Sequence, residues 1–343
     1  METLSDRERL VLDLIVENYI SSAEPIGSRT ISKAPANRWS SATIRNIMSD
    51  LEELGYLYKP HAVAGRIPTS KAFRYYIDNL NISSHPGKKT LQAFNNLLRP
   101  RYYYVGEIMA DASRILAAIS RYTSIVVEPR INMMLFKEVE FVKLSNRTIL
   151  IVFVTSSGMV HTRLVETEEN LDGETLKGMK RYMNERFEGT PFYILKQEIM
   201  DDIKKDKTIF SQLLERISET IETIIEGEDK RDVYIEGTSK MIEFPEFSDV
   251  KRLRDIFKTL EKKEKLLRLL DKCLKEEGMH VIIGDESDIK EMKDISIITS
   301  TYRISDKSFG VLGVMGPMRM DYSRIIPIVD YTARTVSDIL RIM

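Results

Sequence analysis

The sequence predicts a three-part α+β protein. Its 343 residues suffice for two or three domains of ordinary size. The first eighty residues show helical periodicity that ends in a hairpin pattern, whereas the remainder mixes helix and strand patterns. Within that remainder, residues 171–225 hold helical runs and a charged stretch, so we predict an insertion there.

Two helices open the chain. The first is predicted over residues 5–19, because Ser5 and Glu8 form a capping box and apolar residues follow at helical spacing. A short second helix is expected to start near Ser28, where Gly27 allows a turn and Ser28 is predicted to cap the helix.

The third helix has the clearest signals. Ser40 or Ser41 caps it, and Gly55 ends it. A hairpin is predicted next, because strand-like alternation over residues 56–59 is followed by a loop and by a second short strand over 66–68. The buried face of the helix is a stripe of Ile44, Ile47, Met48, Leu51 and Leu54. Two helices joined by a tight turn and followed by a hairpin form the winged helix-turn-helix layout, whose recognition helix enters the major groove of DNA.

Local charge favours DNA as the partner of this unit. The whole chain has a net charge of −1. Residues 1–27 carry two basic and six acidic side chains, whereas residues 28–76 carry eight basic and three acidic ones, a local charge of +5. Hydroxyls bind phosphates, while Arg and Asn pair with guanine and adenine edges. The groove-facing candidates are Ser41, Thr43, Arg45 and Asn46. The alternative is a winged unit that binds protein.

The rest of the chain mixes helices and strands. A helix capped by Thr69 or Ser70 leads to a linker at 81–89, and Ser156-Ser-Gly158 marks a later hairpin. Further helices are predicted over 91–98, 105–119, 176–187, 209–225, 250–277 and 325–342. Strands are predicted over 125–128, 135–144, 148–155, 159–165, 279–283, 295–302 and 308–315.

Several sequence runs match the motifs of a known family. In the first seventy residues they are Pro25-Ile-Gly-Ser-Arg29, Ser40-Ser-Ala-Thr-Ile-Arg-Asn46, Leu51-Glu-Glu-Leu-Gly55, Pro60-His61, Ala64-Gly-Arg66 and Pro68-Thr69. Near the C-terminus the run is Gly313-Val-Met-Gly-Pro-Met-Arg-Met-Asp-Tyr322. The chain resembles, over essentially its whole length, the heat-inducible transcription repressors of bacteria, the HrcA family.

The resemblance implies an architecture and a function. It implies a winged-helix DNA-binding domain over residues 1–80, a GAF-like α/β domain over 81–170 and 230–343, and an inserted dimerisation domain over 171–229. It also implies a homodimeric repressor of chaperone genes that binds an inverted-repeat operator and responds to heat and to a GroEL-type chaperonin.

We predict ten DNA-contacting residues within the matching runs. They are Ser28, Arg29, Ser40, Ser41, Thr43, Arg45, Asn46, His61, Gly65 and Arg66. Ala62 and Val63 depart from the small hydroxyl residues usual in the family. A phosphate contact by a hydroxyl is therefore not expected there, although backbone amides and Arg66 remain able to engage the duplex.

The sequence predicts no catalytic, cofactor or metal site, and therefore no enzyme. Gly310, Gly313 and Gly316 lack dinucleotide-binding spacing and are better explained by close packing, with Arg319, Asp321 and Tyr322 in structural hydrogen bonds. The four histidines lack metal-ligand spacing, and residues 284–288 lack the calcium-loop pattern and fit a turn.

The single cysteine, Cys273, is predicted to be a buried inert thiol rather than a redox sensor. The leucines of 266–270 are expected in the core rather than on a partner surface. Without a bilayer-length apolar segment or a signal peptide pattern, we expect a cytoplasmic protein with no membrane partner. The rival hypothesis is an enzyme or small-molecule sensor whose winged helix serves only assembly.

Overall fold

The structure is a computed structural model that describes residues 4–34, 38–61, 64–82, 85–97, 105–129, 134–156, 158–167, 170–205, 214–215, 217–219, 221–222, 231–273, 278–305 and 308–342. In chain order its helices and strands are α1 (Asp6–Ser22), α2 (Ser28–Ser32), α3 (Ser41–Glu53), β1 (Leu57–Tyr58), β2 (Ile67–Pro68), α4 (Ser70–Asp78), α5 (Lys88–Leu97), α6 (Val105–Ser120), β3 (Thr123–Val127), β4 (Phe136–Lys143), β5 (Thr148–Thr155), β6 (Val160–Glu166), α7 (Gly173–Phe187), α8 (Phe192–Lys205), β7 (Val233–Glu236), α9 (Val250–Glu261), α10 (Lys263–Cys273), β8 (Met279–Ile283), β9 (Ile295–Ser305), β10 (Ser308–Pro317) and α11 (Tyr322–Ile342). The mixture of helix and sheet confirms the α+β prediction.

The N-terminal unit, residues 4–80, follows the predicted sequence of elements. The capping box of Ser5 and Glu8 starts α1, and Ser40 caps α3 by accepting a hydrogen bond from the Thr43 amide. The β1–β2 hairpin is antiparallel, and Ile26 adds a bridge to Arg66. One detail was wrong: Gly27, not Ser28, is the N-cap of α2, and the Ser28 hydroxyl faces α3 instead.

The C-terminal part is built on a five-stranded antiparallel sheet in the order β7-β3-β10-β9-β8. Helices α6 and α11 pack on one face together with Val126, Ile298 and Leu312. Helices α9 and α10 pack on the other face against Ile125 and Ile297. Because alternate residues of one strand point to opposite faces, Ile125 and Val126 enter different cores.

A second sheet, in the order β4-β5-β6, lies between β3 and β7 in sequence and is not paired with the five-stranded sheet. Its inner face carries Phe136 and Phe153, whose rings contact Phe192 of α8 edge to face. Helix α7 packs along β4. These aromatic side chains hold the strands and helices of this part together, and they belong to the same buried cluster as Val126 and Leu312 of the five-stranded sheet.

Helix boundaries in the second half differ from the prediction. Residues 250–277 were predicted as one helix, but α9 ends at Glu261 with Lys262 as its C-cap, and α10 begins at Lys263. Helix α8 and strand β7 were missed. The predicted helix at 209–225 falls largely outside the described residues, although its seven described residues are helical.

The leucines of 266–270 and the Cys273 thiol are buried, which confirms their assignment to the core. The close-packing interpretation of the C-terminal glycines is also confirmed. A Cβ on Gly310 would lie 2.1 Å from Cζ of Tyr302, and one on Gly313 would lie 2.2 Å from the Ile298 carbonyl oxygen. Tyr302 is fully buried, and its hydroxyl donates to the Val127 carbonyl at 2.8 Å. Among the described residues, no helix combines the length and apolar character that crossing a membrane requires.

Candidate nucleic-acid interface

The exposed face of α3 is the centre of the candidate interface. Ile44, Ile47 and Met48 are buried, so the helix is fixed in rotation and turns Arg45 and Asn46 toward solvent. Both side chains can therefore contact a partner without any change in the fold of the N-terminal unit. The structure thus leaves the two predicted base-reading residues accessible.

The hydroxyls at the start of α3 are occupied with local structure. Ser40 Oγ accepts from the Thr43 amide at 3.2 Å and lies 3.0 Å from Thr43 Oγ1. Ser41 Oγ lies 3.1 Å from Ser28 Oγ on α2. The first pair of contacts caps α3, and the Ser28–Ser41 contact joins α2 to α3. The N-terminus of α3 also carries the positive end of the helix dipole, which favours a phosphate.

The β1–β2 hairpin with its connecting loop, which we call the wing, is joined to the rest of the unit by its backbone. Arg66 and Ile26 exchange two backbone hydrogen bonds of 2.8 Å. A Cβ on Gly65 would lie 2.5 Å from both the carbonyl carbon and the oxygen of Ile26, so only glycine allows this approach. Gly65 was predicted from the sequence to contact DNA. In the structure it has another role, because its lack of a side chain allows the wing to approach Ile26.

Arg66 also has a partner within the protein. Its Nε lies 2.7 Å from Oε2 of Glu52 on α3, an ion pair whose angle falls outside hydrogen-bond geometry. The Arg66 side chain is only 18% exposed. His61, in contrast, is exposed on the wing, whereas Ala62 and Val63 lie outside the described residues.

The basic side chains of residues 28–76 divide into two groups. Lys71 donates to the Leu54 carbonyl at 2.7 Å and covers the Tyr56 ring, and Arg74 contacts the C-terminal part. Together with Arg66 they form a group with partners within the protein, although Lys71 is itself exposed. The other group is exposed and consists of Arg29, Lys33, Arg38, Arg45 and Lys59. Lys33, Arg38 and Lys59 were absent from the ten predicted contacts, although the local charge count had signalled them.

Two further observations concern metal ligands and a cleft outside the N-terminal unit. Within them, no three His, Cys, Asp or Glu side chains come close enough to hold a metal ion. An open cleft of about 560 Å³ lies beside α10, and an ion pair of Lys265 with Glu291 at 3.3 Å lines it. This cleft is not part of the N-terminal unit.

Three comparisons place the chain among known proteins. Residues 106–326 match the family model described as the HrcA protein C-terminal domain. The chain is 41% identical to the heat-inducible transcription repressor HrcA of Geobacter sulfurreducens over 99% of both chains, and 40% identical to that of Syntrophobacter fumaroxidans over 99% of this chain and 98% of the relative. A crystal structure described as a hypothetical protein shares the fold, with a TM-score of 0.63 at 22% identity over 99% of both chains. The chain belongs to the HrcA family of heat-inducible transcription repressors.

Proposed function

We propose that the protein is a homodimeric, sequence-specific DNA-binding repressor in which residues 1–80 form a winged helix-turn-helix domain and α3 is the recognition helix. The observation that carries this proposal is the exposure of Arg45 and Asn46 on α3 beside the other exposed cations of the unit. Repression then needs no catalytic step and no cofactor, because a protein bound over a promoter excludes polymerase. A repressor acts on the chromosome, which in bacteria lies in the cytoplasm.

Each element of the unit has a distinct part in this proposal. Arg45 and Asn46 read base edges in the major groove. The N-terminus of α3 and Arg29 bind phosphates, which fixes the register of the helix on the duplex. Lys59 and His61 of the wing follow the neighbouring backbone. Gly65 holds the wing in place against Ile26.

The three-stranded sheet supports dimerisation. Its outer face exposes apolar side chains beside the carboxylates Glu138 and Glu140 of β4: Val142 is 42% exposed, Val160 56% and Leu164 66%. The register places Val142, Leu150 and Leu164 in one row across the three strands. An exposed apolar surface of this kind marks an interaction site, and a two-fold axis lets one such face cover its copy.

We propose that the inserted dimerisation domain includes this sheet. Its boundary would then lie near residue 130 instead of 171, because β4–β6 belong to a different sheet from β3. The GAF-like domain would keep the five-stranded sheet and its four helices. A dimer matches an inverted repeat whose half-sites lie about 34 Å apart or a multiple of that distance.

The family resemblance supplies the regulatory input. Heat lowers the fraction of folded protein that is competent for DNA, and a GroEL-type chaperonin restores it. This step requires only that the folded dimer, and not the unfolded chain, binds the operator.

The decisive experiment titrates the purified protein with duplexes taken from the promoters of the organism's own chaperone genes and with scrambled duplexes of the same length. We expect tight binding to an inverted repeat, weaker binding to scrambled DNA, and a steep linear fall of log affinity with log salt. Equal binding to both duplexes would contradict sequence-specific repression. Thermal stabilisation by a metabolite without DNA affinity would favour the sensor hypothesis.

A further inference from the structure

The N-terminal unit is docked on the C-terminal part through side-chain contacts. The ring of Phe73 on α4 lies 6.2 Å from the ring of Tyr322, and both side chains are fully buried. The Ser70 hydroxyl lies 3.5 Å from the sulfur of Met318. The segment 318–322, within the second family motif, therefore forms one side of this joint.

The two surfaces approach too closely for an added side chain. A Cβ on Gly284 would lie 2.7 Å from Oγ of Ser70 and 2.8 Å from the sulfur of Met318. Gly284 also has a positive φ of 50°. Glycine is required here by the backbone conformation and by the Lys293 carbonyl oxygen, which would lie 2.5 Å from the same Cβ, and Ser70 of the N-terminal unit packs against this point.

Arg319 supplies a cation that α1 lacks. The last turn of α1 contains no basic residue, and Arg319 donates to the Ile20 carbonyl near the helix C-terminus at 3.2 Å. Glu246 of the C-terminal part binds the same guanidinium and orients it, with Nη2 3.3 Å from Oε2. A cation at the negative end of a helix dipole is stabilising, and here that cation comes from another domain.

Arg74 crosses the joint in the opposite direction. It extends from α4, donates from Nε to Oε1 of Glu286 at 2.8 Å, and also donates to the Val281 carbonyl. Arg74 and Arg319 therefore attach two different helices of the N-terminal unit to the C-terminal part. Two attachments on different helices, with an apolar contact between them, oppose rotation of the unit about any single contact.

We propose that Arg74 and Arg319 are positioning residues that set which spacing of operator half-sites the dimer accepts. This inference rests on the proposed function. In B-DNA, one extra base pair between half-sites rotates the second by about 35° and shifts it by about 3.4 Å. A dimer with rigidly docked recognition helices binds one spacing well and its neighbours poorly. A dimer with a loosened joint tolerates several spacings. At the best spacing it binds less tightly, because its mobile N-terminal units lose conformational entropy when they bind.

The test compares Arg74→Met and Arg319→Met with wild type in the full-length dimer. Methionine retains most of the apolar stem and removes the charge and the donors. Arg334→Met is the matched control, because Arg334 pairs with Asp330 inside α11 at 2.7 Å and does not cross the joint. Sedimentation and circular dichroism first establish that each variant is a folded dimer. If a variant fails to fold, Glu246→Gln is used instead, because it weakens the hold of Glu246 on the Arg319 guanidinium at the same joint.

Binding is measured on one isolated half-site and on inverted repeats whose spacing changes in single base-pair steps. For the joint variants we expect unchanged half-site affinity, about a tenfold loss at the best spacing, and a broader spacing profile than the control. Arg319→Lys keeps a donor for Ile20 and is expected to restore part of the selectivity.

Three outcomes would overturn the inference: a spacing profile identical to that of the control, an equal loss on the isolated half-site, or tighter binding by the variants at every spacing. The last result would mean that the docked arrangement opposes DNA binding. If wild-type protein binds neither the half-site nor any repeat, the proposed function itself is wrong, which is a different result.

Discussion

Arg66 and Glu52 form an ion pair that joins the wing to helix α3, with 2.7 Å between Nε and Oε2. The pair brings an acidic side chain of α3 to the arginine that the sequence assigned to DNA. Glu52 and a phosphate would therefore compete for the same guanidinium.

Glu52→Gln is predicted to strengthen binding to operator and random DNA alike, by about 0.5 to 1 kcal/mol, and to steepen the salt slope by about one unit. The reason is that Arg66 becomes available to a phosphate. Glu53→Gln is the matched control, since it removes the same charge from an exposed position on the same helix. Fluorescence titration at several salt concentrations gives both quantities. In the Glu52→Gln protein, Arg66→Ala should lower the slope again by about one unit, and an unchanged slope there would remove Arg66 from the interface.

Alanine at Arg45 or Asn46 is predicted to cost about 1 to 3 kcal/mol on the operator and little on random DNA, because we propose that these side chains read base edges. Lys33→Ala should instead weaken both duplexes similarly, as expected for a phosphate contact. Parallel titrations on the two duplexes give the comparison. Equal losses on both for Arg45→Ala would reassign Arg45 to the backbone.

Replacing residues 130–230 with a short Gly-Ser linker is predicted to leave the five-stranded sheet folded and to produce a monomer with sharply lower operator affinity. The replacement removes the exposed apolar sheet face while keeping the ion pair of Arg231 with Asp271. Sedimentation read beside the DNA titration tests both parts. A stable dimer that still binds the full repeat would move the subunit contact to another domain.

His161 is predicted to destabilise the fold at low pH. Burial, with a smaller contribution from Arg163, lowers the pKa of His161 from 6.5 to about 4. Between pH 6.5 and pH 4, His161 is protonated in the unfolded chain but neutral in the folded chain. The free energy of unfolding therefore falls as the pH drops, by up to about 3 kcal/mol. His161→Gln removes this dependence.

Urea unfolding of wild type and His161→Gln at pH 7 and pH 4.5 checks the sign. The variant should gain stability relative to wild type at the lower pH. Asp13, whose pKa burial raises to about 6, is common to both proteins and cancels in the difference. A constant difference between the two proteins would contradict a buried neutral histidine.

Cys273 is predicted to react slowly with thiol reagents in the native protein and quickly after unfolding. The thiol is 3% exposed, and burial raises its pKa, so little thiolate is present near neutral pH. Cys273→Ser should keep operator binding within a few-fold. If Cys273 reacts quickly in the native protein and Cys273→Ser loses operator binding, the redox-sensor alternative for this cysteine would be favoured.

The N-terminal unit could be predicted because its signals are local. A capping box, the Ser40 cap and the positive φ of Gly55 mark the ends of helices within a few residues of the chain. The break at Lys262 has no such marker, since neither glycine nor proline lies there. It follows from Leu260 and Leu266 being packed into one core from two helices. Strand β7 was missed because it has only four residues and depends on pairing with β3.

The candidate site shows the same division. Arg45 and Asn46 followed from the helical stripe, which is a property of thirteen consecutive residues. The pairing of Arg66 with Glu52 and the approach of Gly65 to Ile26 join residues distant in sequence. No periodicity encodes such contacts, so the roles of both wing residues emerge only from the folded chain.

Strand β3 ends at Val127, directly opposite Val233, where β7 begins. The chain thus leaves the five-stranded sheet and returns to it at neighbouring positions. In evolutionary terms, the segment between these two valines is an insertion that can lengthen, shrink or be exchanged while the strand order of the sheet stays the same. Under the proposed function, subunit association and DNA recognition are therefore free to diverge at different rates within one family.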